Sequence, residues 1–134
     1  MTDSHGSPLP YASGGQAYLG LRIAGPPKPR AGVVLLPDWR GVSRLARDHA
    51  AFLTGLGCDV VIADLYGDGF NPTSPDEVGP MVKRLMESRP TGIAALAACV
   101  DALRGTLDTA VPIVCLGFSA GAMATGVNTH TSGT

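Results

Sequence analysis

The stretch that most limits how this chain can fold is Val111-Pro-Ile-Val-Cys-Leu-Gly-Phe-Ser-Ala-Gly121. A short apolar run passes directly into Gly-Phe-Ser-Ala-Gly and then into the helix-prone Ala-Met-Ala. That order matches a nucleophile elbow, a sharp strand-to-helix turn that lifts a serine hydroxyl above a sheet. Gly117 and Gly121 stand where side chains would crowd the turn. The backbone N–H of Ala120 falls at a helix N-terminus, where a donor can face a developing oxyanion. Five residues of pattern can also mark an ordinary glycine-lined turn. The apolar strand before it and the helix former after it favour the elbow, with Ser119 as the exposed nucleophile.

Two earlier apolar runs have the same design. Gly32-Val-Val-Leu-Leu36 and Asp59-Val-Val-Ile-Ala63 are short, bounded by turn signals, and suited to strands buried on both faces. The first ends in Pro37-Asp38-Trp39-Arg40-Gly41 and the second in Asp64-Leu-Tyr66-Gly-Asp-Gly69. Ser43 is a good N-cap for a helix running to about Leu56, with Leu45, His49, Phe52, Leu53 and Leu56 on its inward face. A helix over 77–88 ends at Pro90. An alanine-rich helix over 91–104 turns Ile93, Leu96, Ala97, Val100 and Leu103 inward. Gln16 to Ile23 alternates like a strand, and residues 1–15, rich in Ser, Gly and Pro, read as a flexible arm. Strand, helix, strand, helix, strand implies a three-layer α/β fold on a parallel sheet with right-handed crossovers. Ligands bind such sheets beyond the strands' carboxyl ends. Asp38, Tyr66 and Ser119 all fall at that edge, and this convergence is the candidate site.

Composition narrows the function. A chain of 134 residues that is 45% hydrophobic and 16% charged suits one globular domain. A net charge of −1 provides no electrostatic case for nucleic acid or an anionic membrane. No apolar run approaches the roughly 20 residues that cross a bilayer, and the N-terminus lacks the plan of a signal peptide, so the expected location is cytoplasmic. The three cysteines, Cys58, Cys99 and Cys115, have no metal or redox spacing and read as small buried hydrophobes. With no P-loop, G-x-G-x-x-G or H-E-x-x-H, nothing in the sequence calls for a cofactor or a metal.

Taken together, Gly32-Val-Val-Leu-Leu-Pro-Asp-Trp-Arg-Gly-Val, Arg47-Asp48, Asp59-Val-Val-Ile-Ala-Asp-Leu-Tyr-Gly and Leu116-Gly-Phe-Ser-Ala-Gly resemble the dienelactone hydrolase family, a branch of the α/β-hydrolases. The resemblance covers about residues 15–125. It implies that Ser119 is the nucleophile, at a position where the best-known members carry cysteine and related esterases carry serine. It further implies that the N–H groups of Trp39 and Ala120 form the oxyanion hole and that Tyr66 lines the pocket. Asp38 stands where the family often places a glutamate facing the resting nucleophile, one methylene shorter. The implied substrate is a small ester or lactone.

One part of the pattern is missing. In this fold the triad acid and base follow the serine. After Ser119 there is no Asp or Glu, and the one histidine is His130, in a polar tail spanning 126–134. His5 lies in the arm, His49 reads as a packed helix residue, and Asp64 as a turn cap. The expectation is an α/β-hydrolase domain over 16–125, truncated after the elbow and followed by an out-of-family tail. Such a chain would be weak or inactive alone, and its elbow strand would keep an open edge through which it could self-associate. The rival reading is a non-catalytic α/β binding or interaction module built on the same pocket or edge.

Overall fold

The computed structural model describes residues 6–117 and 130–131. A six-stranded mixed sheet is the middle layer. Its strands are β1 (Ser7–Ser13), β2 (Gln16–Ile23), β3 (Ala31–Leu36), β4 (Cys58–Ile62), β5 (Ile113–Gly117) and β6 (His130–Thr131). They lie in the order β1-β2-β4-β3-β5-β6. The three apolar runs form the parallel centre, β4-β3-β5, and the strands flanking it pair antiparallel. The helices are α1 (Arg44–Gly55), α2 (Pro75–Glu87) and α3 (Arg89–Arg104).

Successive side chains of a strand point to opposite faces, so a strand without polar residues must be covered on both. In β3, Val34 and Leu36 join Val61, Ala63, Cys99, Leu103, Ile113 and Cys115 in one core, under α3. Val33 and Leu35 join Ile23, Cys58, Val60, Ile62, Ala46 and Ala50 in the other, under α1. All three cysteines are therefore buried among apolar side chains. A Cβ on Gly25 would collide with the Cys58 carbonyl, so the loop before β3 crosses the sheet where only glycine fits.

Several expectations need correction. The arm expected over 1–15 is a strand from Ser7 onward. Pro8 and Pro10 mark it as a loop by composition, but β1 is an edge strand, and residues of one parity can direct their missing N–H groups away from β2. Pro90 does not end a helix. It sits in the first turn of α3, where no N–H is needed. The inward faces of both main helices are rotated from the expected ones. On α1 the sheet contact is made by Ala46 and Ala50, with Leu53 partly buried, while Leu45, Phe52 and Leu56 are exposed. On α3, Ala95, Cys99 and Leu103 are buried, whereas Ile93 and Ala97 face out. Small side chains let a helix approach the sheet closely, which a reading for large hydrophobes misses. The outer edge of β5 is not bare either: β6 pairs with it at Val114↔Thr131 and Cys115↔His130.

The N-cap expectation holds, since Ser43 Oγ accepts from the Ala46 amide at 3.2 Å. A partly buried ion pair ties the flanking strand to the centre. Arg22 on β2 grips Asp59 on β4 with Nε to Oδ1 at 2.9 Å and Nη2 to Oδ2 at 2.8 Å.

Candidate active site

The register of the parallel centre brings three strand ends side by side. Leu35 lies opposite Ile62, and Leu36 opposite Gly117. The loops after β3 and β4 therefore leave the sheet next to the carboxyl end of β5 at Gly117. Gly117 is the last described residue of that strand; Ser119, Ala120 and Gly121 lie outside the described residues.

The loop after β3 is held from within and from outside. The Asp38 carboxylate accepts from the Arg40 amide at 3.0 Å and from Arg40 Nη1 at 2.6 Å. The Gly41 amide donates to the Asp38 carbonyl at 3.0 Å, closing a tight turn. The Arg40 guanidinium lies 4.9 Å from the centre of the Trp39 ring, a cation–π contact. From the neighbouring loop, Asn71 Oδ1 accepts from the Val42 amide at 3.0 Å, and the Tyr66 hydroxyl donates to the Trp39 carbonyl at 2.8 Å. Gly41 adopts φ +70°, and a Cβ there would collide with Asn71 Oδ1.

The loop after β4 is organised by Asp64. Its buried carboxylate accepts from four backbone amides: Leu19 at 2.9 Å, Gly69 at 2.8 Å, Tyr66 at 3.1 Å and Gly67 at 3.0 Å. The reading of Asp64 as a turn cap rather than a triad acid agrees with this arrangement. The backbone of Asp64 is held in turn by the Tyr11 hydroxyl, which donates to its carbonyl at 3.2 Å and accepts from its amide at 3.0 Å. Burial pushes the Tyr11 phenol far above its ordinary range. Burial, and then the Asp38 carboxylate, push Tyr66 up to about 12. Both hydroxyls remain donors at neutral pH.

Between these strand ends and helices α2 and α3 lies a cavity of about 210 Å³. Leu36, Tyr18 and Tyr66 line it from the sheet side, and Met81, Arg84 and Leu96 from the helices. Among the described residues, no group of three or more His, Cys, Asp or Glu is placed to hold a metal ion. No helix there is long and apolar enough to cross a membrane.

Of the expected site residues, Asp38, Trp39 and Tyr66 are brought together, and Gly117 ends the adjacent strand. The histidines lie elsewhere. His49 is half-buried on α1 and lines a small hollow on the other face with Pro37, Asp38 and Leu45. The backbone of His130 pairs with Cys115, inside β5 rather than at its end. Arg40, Asn71 and Tyr11 had no role in the sequence reading. The signal for Tyr11 was its alternation with Pro8 and Pro10; for Asn71 there was none.

Residues 19–132 match the family model of the dienelactone hydrolase family. The chain belongs to the dienelactone hydrolase family. The match continues past residue 125, into the segment read from sequence as an out-of-family tail. The fold is that of the family's solved members. It is similar to m3DLH, with TM-score 0.78 and 26% identity over 89% of this chain and 51% of that one. The dienelactone hydrolase-like promiscuous phosphotriesterase P91, from metagenomic libraries, gives TM-score 0.78 and 24% identity over 88% of this chain and 50% of that one. The dienelactone hydrolase of Anabaena variabilis gives TM-score 0.63 and 15% identity over 93% and 55%. At those last two identities the likeness speaks for the fold. The chain thus spans about half the length of these neighbours. No curated protein matches the sequence at a significant level.

Proposed function

We propose that this chain carries the nucleophile half of a serine-dependent hydrolase for small esters or lactones. Ser119 attacks the substrate carbonyl, and the N–H groups of Trp39 and Ala120 receive the oxyanion. One observation carries the reading. The register that sets Gly117 beside Leu36 ends β5 next to the strand that runs into the pinned Asp38–Trp39 turn, and Leu36 itself lines a largely apolar cavity. Preorganised amides at such a point lower the barrier because they need no reorientation as charge develops. The cavity is large enough for a small acyl or lactone ring, and Tyr66 and Leu36 line it.

Serine is a weak nucleophile without a base. No carboxylate follows Ser119 in these 134 residues. In serine proteases, loss of triad members leaves a residual rate of roughly 10³–10⁴-fold over water, and activity of that order is the expectation for this chain by itself. Treatment of the folded chain with a fluorophosphonate, read by intact mass, tests the assignment. The expected result is one slow adduct that is absent from Ser119→Ala. A folded chain that takes up no adduct, or takes up the same adduct without Ser119, overturns the reading and leaves a non-catalytic binding module in its place.

A further inference from the structure

Both ends of a single peptide group are tied down in the turn after β3. The Trp39–Arg40 peptide presents its carbonyl to the Tyr66 hydroxyl at 2.8 Å and its N–H to Asp38 Oδ1 at 3.0 Å. A peptide is planar, so hydrogen bonds at both its oxygen and its N–H restrain the orientation of the whole group. The only soft dihedrals left between that plane and the neighbouring Trp39 N–H are those of Trp39 itself. Its ring is pinned as well, by the Arg40 guanidinium over its face.

Tyr66 is not free to drift either. Its own amide donates to Asp64 Oδ1 at 3.1 Å, in a carboxylate cage that also binds the amides of Gly67, Gly69 and Leu19. A rigid path therefore runs from the end of β4, through Asp64 and Tyr66, to the turn after β3. It joins residues 27 apart in sequence.

We propose that Tyr66 is a positioning residue. Its hydroxyl clamps the Trp39 carbonyl and thereby aims the Trp39 N–H toward the point where an oxyanion forms. This rests on the oxyanion role given to Trp39 above, and it assigns Tyr66 more than a place in the pocket wall. A donor at neutral pH is what the clamp requires, and burial with the nearby Asp38 carboxylate keeps the phenol protonated up to about pH 12.

Tyr66→Phe removes one oxygen and retains the ring. Trp39 is the single tryptophan of the chain, so its emission, excited at the long-wavelength edge where tyrosine does not absorb, reports on this turn alone. In a variant with wild-type far-ultraviolet dichroism, the expected result is a shifted Trp39 signature. The expected kinetic result is a fall of about tenfold to a hundredfold in kcat for p-nitrophenyl acetate, or in the fluorophosphonate labelling rate, with KM within about twofold. An unchanged Trp39 signature, or an unchanged rate in an active chain, overturns the clamp. If the wild-type chain neither hydrolyses nor labels, the hydrolase reading fails, and the Trp39 signature decides the clamp alone. Should Tyr66→Phe fail to fold, the wild-type protein still decides. The clamp requires a slowly exchanging Tyr66 hydroxyl proton with a nuclear Overhauser contact to Trp39, and a hydroxyl exchanging at the solvent rate contradicts it.

Discussion

Tyr66 and Cys99 hold their protons well past the pH at which such groups ordinarily ionise. Burial raises the Cys99 thiol from 9.0 to about 12, and burial with the Asp38 charge raises Tyr66 from 10.0 to about 12. The sign of the consequence follows from proton counting. Below pH 9 the folded and unfolded chains both keep these protons, and stability does not depend on pH through them. Between pH 9 and 12 the unfolded chain releases protons that the folded chain retains, so stability falls as pH rises. The expected melting profile is flat near neutrality and drops from about pH 9 upward. Tyr66→Phe reduces the drop between pH 10 and 12, and Cys99→Ala reduces it from pH 9. A melting temperature constant to pH 12 would contradict both assignments. At this scale the sequence put Asp38, Trp39 and Tyr66 in neighbouring loops, because each follows an apolar run at a recognisable turn. It did not reveal Arg40, Asn71 or Tyr11, whose roles depend on which loop lies next to which. Tyr11 meets Asp64 across 53 residues, and Asn71 meets Val42 across 29. No local pattern encodes either distance.

The strands were legible because each apolar run is short, bounded by turns, and too hydrophobic to have a solvent face. The helices were legible as elements but not as faces. In α1 the residues at the sheet are alanines, and the large side chains lie to one flank, with Phe52 68% exposed and Ala50 fully buried. This inverts the usual expectation for mutations. Ala50→Leu inserts three carbons where the helix already rests on β4, and is expected to cost about 1–3 kcal/mol. Phe52→Gln, although it removes an aromatic ring, is expected to change stability by no more than about 0.5 kcal/mol. Urea titration of the two variants beside the parent chain distinguishes them, and a larger loss from Phe52→Gln would mean that the flank is covered. β1 was hidden for a related reason. Proline, which forbids a central strand, is permitted at an edge, and sequence alone does not say which strand is the edge.

For the molecule as a whole, the sheet is a parallel centre joined to an antiparallel hairpin along the β2–β4 seam, with the short β6 on its far side. Its parallel centre was legible from the alternation of apolar runs and helices. The antiparallel flank was not, because the placement of β2 against β4 rather than β3 is set by contacts distant in sequence. Arg22 and Asp59 fasten that seam, with the Asp59 side chain only 3% exposed. Arg22→Ala strands a buried carboxylate and is expected to cost about 3 kcal/mol or more. The double variant with Asp59→Ala should lose less than the two single losses added together, because the second change removes the charge that the first left unpaired. Strict additivity in a double-mutant cycle would show that the pair is not coupled. The cavity wall has a different layout. Met81, Arg84, Ser88, Thr91, Gly92, Ala95 and Leu96 all come from one stretch of the α2–α3 segment, whereas the turn that holds Trp39 and the strand that leads to Ser119 lie on either side of it in the chain. The helical wall is thus one tract of sequence, while Tyr66 belongs to both the sheet-side wall and the Trp39 turn. Mutation can remodel the helical wall as a cassette while the turn after β3 and its tie to Tyr66 keep their geometry.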